Sequence, residues 1–314
     1  MTTGKDLLAG DDERLARARC SLEELSVGDA LGQHVMVYLL KEGSLPGQQL
    51  PPSPWYFTDD TYMALSIISL LCQNGKINQD LLVADFALRY KQDAYRGYGP
   101  GMHVLLQRIN NGQPWREASQ RQFAGQGSFG NGAAMRVAPL GAYFADSIET
   151  VIEQAQASAE VTHAHPEGVA GAIAVAVAAA WAWRLRERAV RPTRSEFIDL
   201  LLPSVPESEV RAKMLQARNL GARVSVLSAA AKLGNGSQVS AQDTVPFVLW
   251  CAGHYLGSYE QAMRQTLRAG GDLDTTCAMV GGIVVLSGGT ENIPLQWRNA
   301  REPLPDWPFQ KSPA

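Results

Sequence analysis

Two acidic clusters carry the clearest chemistry in this sequence. In the first, Thr58-Asp59-Asp60-Thr61 runs directly into the apolar stretch Met63-Ala64-Leu65-Ser66-Ile67-Ile68, so two carboxylates and a hydroxyl crowd the first turn of a predicted helix. In the second, Gly270-Gly271-Asp272-Leu273-Asp274-Thr275-Thr276 precedes the small-residue helix opened by Cys277-Ala278-Met279-Val280-Gly281-Gly282. Helix capping and complementarity to the helix dipole account for either cluster alone. Together, two sets of hard oxygen ligands suit a pair of Mg²⁺ or Mn²⁺ ions better than zinc, because His and Cys are lacking. So many carboxylates in one place would raise each other's pKa, and bound cations are the natural resolution if the clusters meet. The sequence leaves that meeting open.

Other motifs have two readings each. Gly125-Gln126-Gly127-Ser128-Phe129-Gly130 matches a dinucleotide-binding glycine pattern, but Glu117 to Gln122 before it is polar and strand-poor, so the required strand context fails. What remains is a glycine-rich loop entering Asn131-Gly132-Ala133-Ala134-Met135-Arg136, either a phosphate cradle or a tight turn between packed helices. His163 and His165, in Thr162-His163-Ala164-His165-Pro166, have the look of a metal pair, yet they fit a capped helix start, and a structural role weighs more. The same holds for His34, His103 and His254. Gly97-Tyr98-Gly99-Pro100-Gly101 offers an aromatic wall with close backbone approach, or an ordinary turn.

The elements that must position these residues read as helices, because the alternating pattern of strands is almost absent. Helices are predicted over 12–40, 58–74, 77–91, 100–110, 131–145, 147–160, 166–189, 194–202, 208–217, 221–231, 241–254, 258–269 and 274–287. The expected fold is all-α, one domain over 1–314 with its core at about 20–290. Irregular loops rich in Gly, Pro or Asn fall at 43–54, 96–101 and 125–132. The uncharged run Gly168–Trp183 is short for a membrane span, and half of its residues are alanine, so a helix packed on all sides is expected. The proline-rich tail 293–314 should run extended over the surface, pinned by its tryptophans.

Composition narrows the function. Charged residues at 19% and hydrophobic ones at 46% exclude wholesale disorder, and 28 basic against 31 acidic residues provide no electrostatic footprint for nucleic acid or an anionic membrane. The four cysteines are widely spaced and the first nineteen residues lack an apolar signal stretch, so a cytoplasmic setting is expected.

Taken in order, Gly28-Asp29-Ala30-Leu31-Gly32, Thr58-Asp59-Asp60-Thr61, Arg96-Gly97-Tyr98-Gly99, Gly127 through Arg136, Thr162-His163-Ala164 and Gly270 through Thr275 resemble the ADP-ribosylglycohydrolases. That family includes dinitrogenase reductase-activating glycohydrolase and metal-dependent ADP-ribosyl-acceptor hydrolases. The resemblance implies an all-α fold with a binuclear Mg²⁺ or Mn²⁺ centre, its ligands Thr58, Asp59, Asp60, Asp272, Asp274 and Thr275. It further implies that Gly127, Ser128 and Asn131 hold the diphosphate and distal ribose, with Gly99 and His163 close by, and that Phe123 and Phe129 line the adenine or ribose side. The implied reaction removes ADP-ribose from a modified protein or small conjugate, with Asp59, Asp60 and Asp274 as candidate proton acceptors for the attacking water. One position departs from the pattern: many relatives have a glutamate where this chain has Met36, and a thioether neither binds Mg²⁺ usefully nor shuttles a proton. An arginine-linked ADP-ribose is therefore the favoured substrate, and a member that binds ADP-ribose without turning it over is the alternative.

Overall fold

Two helices meet at glycines, and the rest of the chain is arranged around that contact. A computed structural model describes residues 4–43, 50–291 and 293–309, with side chains from residue 10 onward. Its α-helices are, in chain order, α1 (Gly4–Glu42), α2 (Asp59–Asn74), α3 (Gln79–Gln92), α4 (Pro100–Asn110), α5 (Trp115–Gln120) and a single turn α6 (Gln122–Gly125). Then come α7 (Ala138–Tyr143), α8 (Ile148–Glu160), α9 (Pro166–Arg184), α10 (Arg194–Leu201) and α11 (Glu209–Asn219). The last five are α12 (Val226–Leu233), α13 (Ala241–His254), α14 (Tyr259–Arg268), α15 (Leu273–Gly288) and α16 (Leu295–Ala300). Among the described residues there is no strand, only two isolated bridges, Trp55 to Arg301 and Gly130 to Ser240.

The α1–α15 pair is held close by the absence of side chains. A Cβ on Gly28 would sit 2.3 Å from the Cys277 carbonyl oxygen, and one on Gly32 would sit 2.2 Å from that of Leu273. From the other side, Gly281 lies against the Glu24 backbone, where a Cβ would come within 2.6 Å of its carbonyl oxygen. Glycines four apart recur on one helix face, so Gly28 and Gly32 form a continuous flat stripe. Helix α9 is the second axis of the core. From Gly168 to Ala182 only Val169 and Trp181 escape full burial, as the small-residue run predicts, although by length and composition alone this helix is apolar enough to cross a membrane. Gly141 of α7 rests on its Ala176 carbonyl, 2.0 Å from where a Cβ would be.

Several expectations need correction. The predicted helix 131–145 is a 3₁₀ turn at Asn131–Ala133 followed, after an irregular stretch, by α7, where Pro139 opens the helix. Helix α5 went unpredicted because its six residues are too few to show a period. The tail is only partly extended. Helix α16 buries Trp297 completely, and Trp307 lies under the Arg89 guanidinium at 3.5 Å from the ring centroid. Residues 44–49 of the predicted proline-rich loop and 310–314 of the tail lie outside the described residues.

The glycine stripe yields a test. Gly32→Val would drive a branched side chain into the Leu273 carbonyl, and should cost about 3 kcal/mol or more of stability in urea unfolding. A loss below about 1 kcal/mol would show that α1 and α15 can separate without penalty.

Candidate functional site

The tightest polar contact at the site is made by Asp29, one residue past the first glycine of the stripe. Its carboxylate is fully buried and accepts from Thr58 N–H (2.9 Å), Thr58 Oγ1 (2.9 Å), Thr61 N–H (3.1 Å) and Thr61 Oγ1 (2.6 Å). A helix start leaves its first N–H groups without intrahelical partners, and here an acid from another helix takes two of them. Asp29 thereby clamps the first turn of α2 and fixes where Asp59 and Asp60 sit.

That turn meets the start of α15. Thr58 Oγ1, whose proton goes to Asp29, lies 3.0 Å from Asp60 Oδ2, and Thr275 Oγ1 reaches the same oxygen at 3.5 Å. The two acidic clusters therefore form one site. Asp274 Oδ1 accepts from the Thr275 N–H at 2.9 Å, and Asp272 Oδ2 accepts from Asn131 Nδ2 at 2.7 Å, which ties the glycine-rich loop to the second cluster. Asp60 Oδ1 is buried without a partner among the described residues.

Burial and mutual repulsion dominate the electrostatics. Burial pushes the Asp29 carboxyl up to about 7 despite the hydrogen bonds that oppose it, with Asp274 adding to the rise. Asp59 and Asp60 stand well above the ordinary carboxylate range, first from burial and then from neighbouring carboxylates. Asp272 is raised to about 8 by burial and Asp274. Gly97, with φ +92°, lies over the cluster; a side chain there would meet Thr58 Cβ at 3.3 Å and Asp59 Oδ1 at 3.5 Å.

The glycine-rich loop packs against the 162–165 turn. Gly127 (φ +78°) has no room for a side chain, since its Cβ would lie 2.7 Å from the His165 N. Its own N–H donates to the Gln122 carbonyl. Gly127 is thus a packing glycine as the loop stands. Ser128 and Asn131 are buried, the Ser128 Oγ accepts from Gly130 N–H at 3.2 Å, and Asn131 N–H donates to the Val239 carbonyl. The Phe123 and Phe129 rings lie with their centroids 5.1 Å apart, and Phe129 also meets His165 edge-on at 5.6 Å. Phe123 is 52% exposed and sits in the left-handed region at φ +48°, a strained conformation that presents its ring at the rim.

Four of the histidines take structural places. His165 caps α9 by accepting the Glu167 N–H, His34 bonds the Ala30 carbonyl, His103 pairs with Tyr90, and His254 stacks on Trp250. His163 is buried beside Gly130 and Gly132. Tyr98 is no open aromatic wall. It is buried edge-on to Tyr90 and His103, while Gly99 opens α4 with free space where a Cβ would be. Met36 packs against the apolar core on α1. Sequence reasoning assigned no role to Asp29; an acid between two glycines on an otherwise apolar helix face was the available signal.

The crowding sets a pH dependence. The folded chain holds protons on these carboxyls more tightly than the unfolded chain does. The stability they contribute is full below the unfolded value of about 4 and lost as pH rises through the folded values, about 7 for Asp29 and about 8 for Asp272. Chelator-treated protein should melt at a lower temperature at about pH 8.5 than at about pH 6. Equal or higher melting at the alkaline end, followed by circular dichroism, would contradict this electrostatic picture.

Comparisons with known proteins show the family and the fold. The family model described as ADP-ribosylglycohydrolase matches residues 11–309. The chain is 29% identical over 279 residues to mouse ADP-ribosylhydrolase ARH3, covering 79% of this chain and 73% of that protein. It is 28% identical over 291 residues to an uncharacterized protein of Archaeoglobus fulgidus, covering 87% of each. Among solved structures, an ADP-ribosylglycohydrolase-related protein complex shares the fold, with a TM-score of 0.66 at 24% identity over 93% of this chain and 94% of that one. With the family model spanning nearly all of its length, the chain belongs to the ADP-ribosylglycohydrolase family of hydrolases.

Proposed function

We propose that the protein is a metal-dependent hydrolase that releases ADP-ribose from a modified acceptor, cleaving at the anomeric carbon of the distal ribose. The observation that carries the metal reading is the buried, unpartnered Asp60 Oδ1 inside a cluster of five carboxylates, Asp29, Asp59, Asp60, Asp272 and Asp274. Such a donor set fits hard divalent cations. Among the described residues no three acidic, His or Cys side chains converge on one metal position, and the resemblance adds to the carboxylates the hydroxyls of Thr58 and Thr275, both of which lie at Asp60 Oδ2. Thr58, Asp59, Asp60, Asp272, Asp274 and Thr275 would hold the ions. When bound, two Mg²⁺ or Mn²⁺ ions supply charge neutralisation, ribose orientation and activation of water.

The chain's own groups do the rest. Gly127, Gly130 and Asn131 spend their N–H groups within the protein, which leaves those of Ser128 and Phe129 as the loop's candidates for the diphosphate. Phe123 and Phe129 offer the paired rings that an adenine needs. Asp59, Asp60 or Asp274 takes the proton from water as its oxygen attacks the anomeric carbon and the acceptor departs.

Acceptor choice turns on Met36. A serine-linked acceptor, joined through an O-alkyl bond, leaves as an alkoxide and needs a proton from a general acid, whereas an arginine-linked acceptor is already a cation and leaves as neutral guanidine. With Met36 there, partly buried against the core, α1 supplies no acid at that position. Arginine-linked ADP-ribose is accordingly the proposed substrate.

Two experiments test these readings. Asp60→Ala and Asp274→Ala should each abolish Mn²⁺ binding in calorimetry and lower ADP-ribose release at least about a hundredfold. The double variant should be no worse than either single one, because one centre is lost in all three. Unchanged Mn²⁺ stoichiometry in both would refute the shared site. Release of ADP-ribose should be faster from arginine-linked than from serine-linked substrates, and Met36→Glu should raise serine-linked release more than arginine-linked. Faster serine-linked release by the parent would overturn the argument from Met36 and point to Gln33 or a water held by Asp59 in the glutamate's place.

A further inference from the structure

Behind the glycine-rich loop lies a buried chain of polar side chains that the mechanism above does not use. Arg136 is fully buried, its guanidinium over the Phe86 ring at 4.6 Å. Its Nη2 donates to the Ser158 carbonyl at 2.7 Å and to Thr162 Oγ1 at 2.9 Å. Thr162 Oγ1 in turn lies 2.7 Å from His163 Nδ1. The opposite edge of the imidazole faces the loop: a Cβ on Gly130 would meet His163 Nε2 at 3.2 Å, and one on Gly132 at 3.0 Å. Both glycines leave the ring its place, and Ser128 Oγ stands equally near the Gly130 position, at 3.2 Å.

The direction of the hydrogen bonds follows from what each group can do. A guanidinium has donors and no acceptor, so Thr162 Oγ1 accepts from Arg136. The threonine hydroxyl then has one proton to give, and the acceptor within reach is His163 Nδ1. A ring nitrogen that accepts carries no proton. The proton of the neutral ring therefore sits on Nε2, the edge turned toward Gly130 and Gly132. A second proton on Nδ1 would have to point at a hydroxyl already oriented by a buried cation. Burial and the Arg136 charge agree, holding the His163 imidazole far down, at about 3.

We infer that Arg136 and Thr162 are positioning residues that lock His163 in the Nε2–H tautomer, so that the ring offers a neutral, directed N–H donor to an oxygen of ADP-ribose seated on the Ser128–Asn131 loop. The inference rests on the ADP-ribose reading above and adds to it a reason for the buried arginine. A neutral donor holds its proton at every working pH and carries no charge to compete with the cations expected at the acidic cluster. The relay is also rigid, since each member is buried and tied to backbone on α8 or the turn after it: His163 N–H donates to the Ala159 carbonyl and Gln122 Nε2 to that of Thr162.

Nitrogen-15 NMR of the imidazoles tests this on the intact protein, with the His163 signals identified by their loss in His163→Gln. The parent should show His163 with Nδ1 unprotonated and Nε2 protonated, with or without ADP-ribose. Thr162→Val removes the hydroxyl while keeping the shape; it should release the tautomer and weaken ADP-ribose binding by about tenfold or more in calorimetry, with Mn²⁺ affinity unchanged. Thr162→Ser should restore both the tautomer and the affinity, which a merely space-filling role for Thr162 would not require. A parent ring protonated on Nδ1 overturns the inference without any variant, as does a folded Thr162→Val that binds ADP-ribose as tightly as the parent. A parent with the Nε2–H ring that binds no ADP-ribose refutes the ADP-ribose reading itself, and the donor role with it.

Discussion

The close contact of α1 with α15 decides where everything else in the site can be. Gly28 and Gly32 let the backbone of one helix rest on the carbonyls of the other at Cys277 and Leu273. At that separation Asp29 and Asp274 feel each other's charge, and Asp29 is brought under the first turn of α2. The contact works because helix faces without side chains gain dispersion from backbone atoms and present no rotamers to order. Everything acidic at the site follows from it: α1 fixes α2 through Asp29, and α15 carries the second cluster to Asp60.

Such an arrangement concentrates carboxylates far beyond what burial tolerates on its own. Ordinarily a buried acid is paired with a cation, and this fold does so elsewhere, where Arg298 meets the buried Glu24. At the cluster it does not. The buried cation nearest in effect, Arg136, interacts with Asp59 but spends its donors on Ser158 and Thr162. Stability is thus held low at the place where chemistry needs negative charge, a familiar exchange of local stability for function.

The loops around the cluster are pinned from a distance. Trp55 N–H donates to the Ala300 carbonyl and Glu302 N–H to that of Trp55, while Glu302 Oε1 accepts from Phe57 N–H and from Arg96. The C-terminal segment therefore braces the residues that lead into Thr58. On the far side, Asn235 accepts the Asp272 N–H and Val239 accepts the Asn131 N–H. Val239 is a β-branched residue at φ +53°, and Phe123 and Ala124 share the left-handed region, so backbone strain gathers at the rim of this one site.

Much of this was legible in the residues alone. Apolar periodicity and the scarcity of alternating runs determined an all-α chain, and most helix positions follow, because period and capping are local properties that a linear sequence records. The chemistry of each acidic cluster was equally local: Thr-Asp-Asp-Thr and Asp-Leu-Asp-Thr announce hard oxygen donors at helix starts wherever they fold. Only the tertiary structure decided that Asp60 and Thr275, 215 residues apart, share one oxygen's surroundings. It also decided that Asn131 serves Asp272, that Tyr98 turns inward and that Gly127 is filled by a neighbouring turn. Asp29 shows the physical reason. Its role depends on four donors from another helix, and a hydrogen bond across space leaves no period and no spacing in the sequence that makes it.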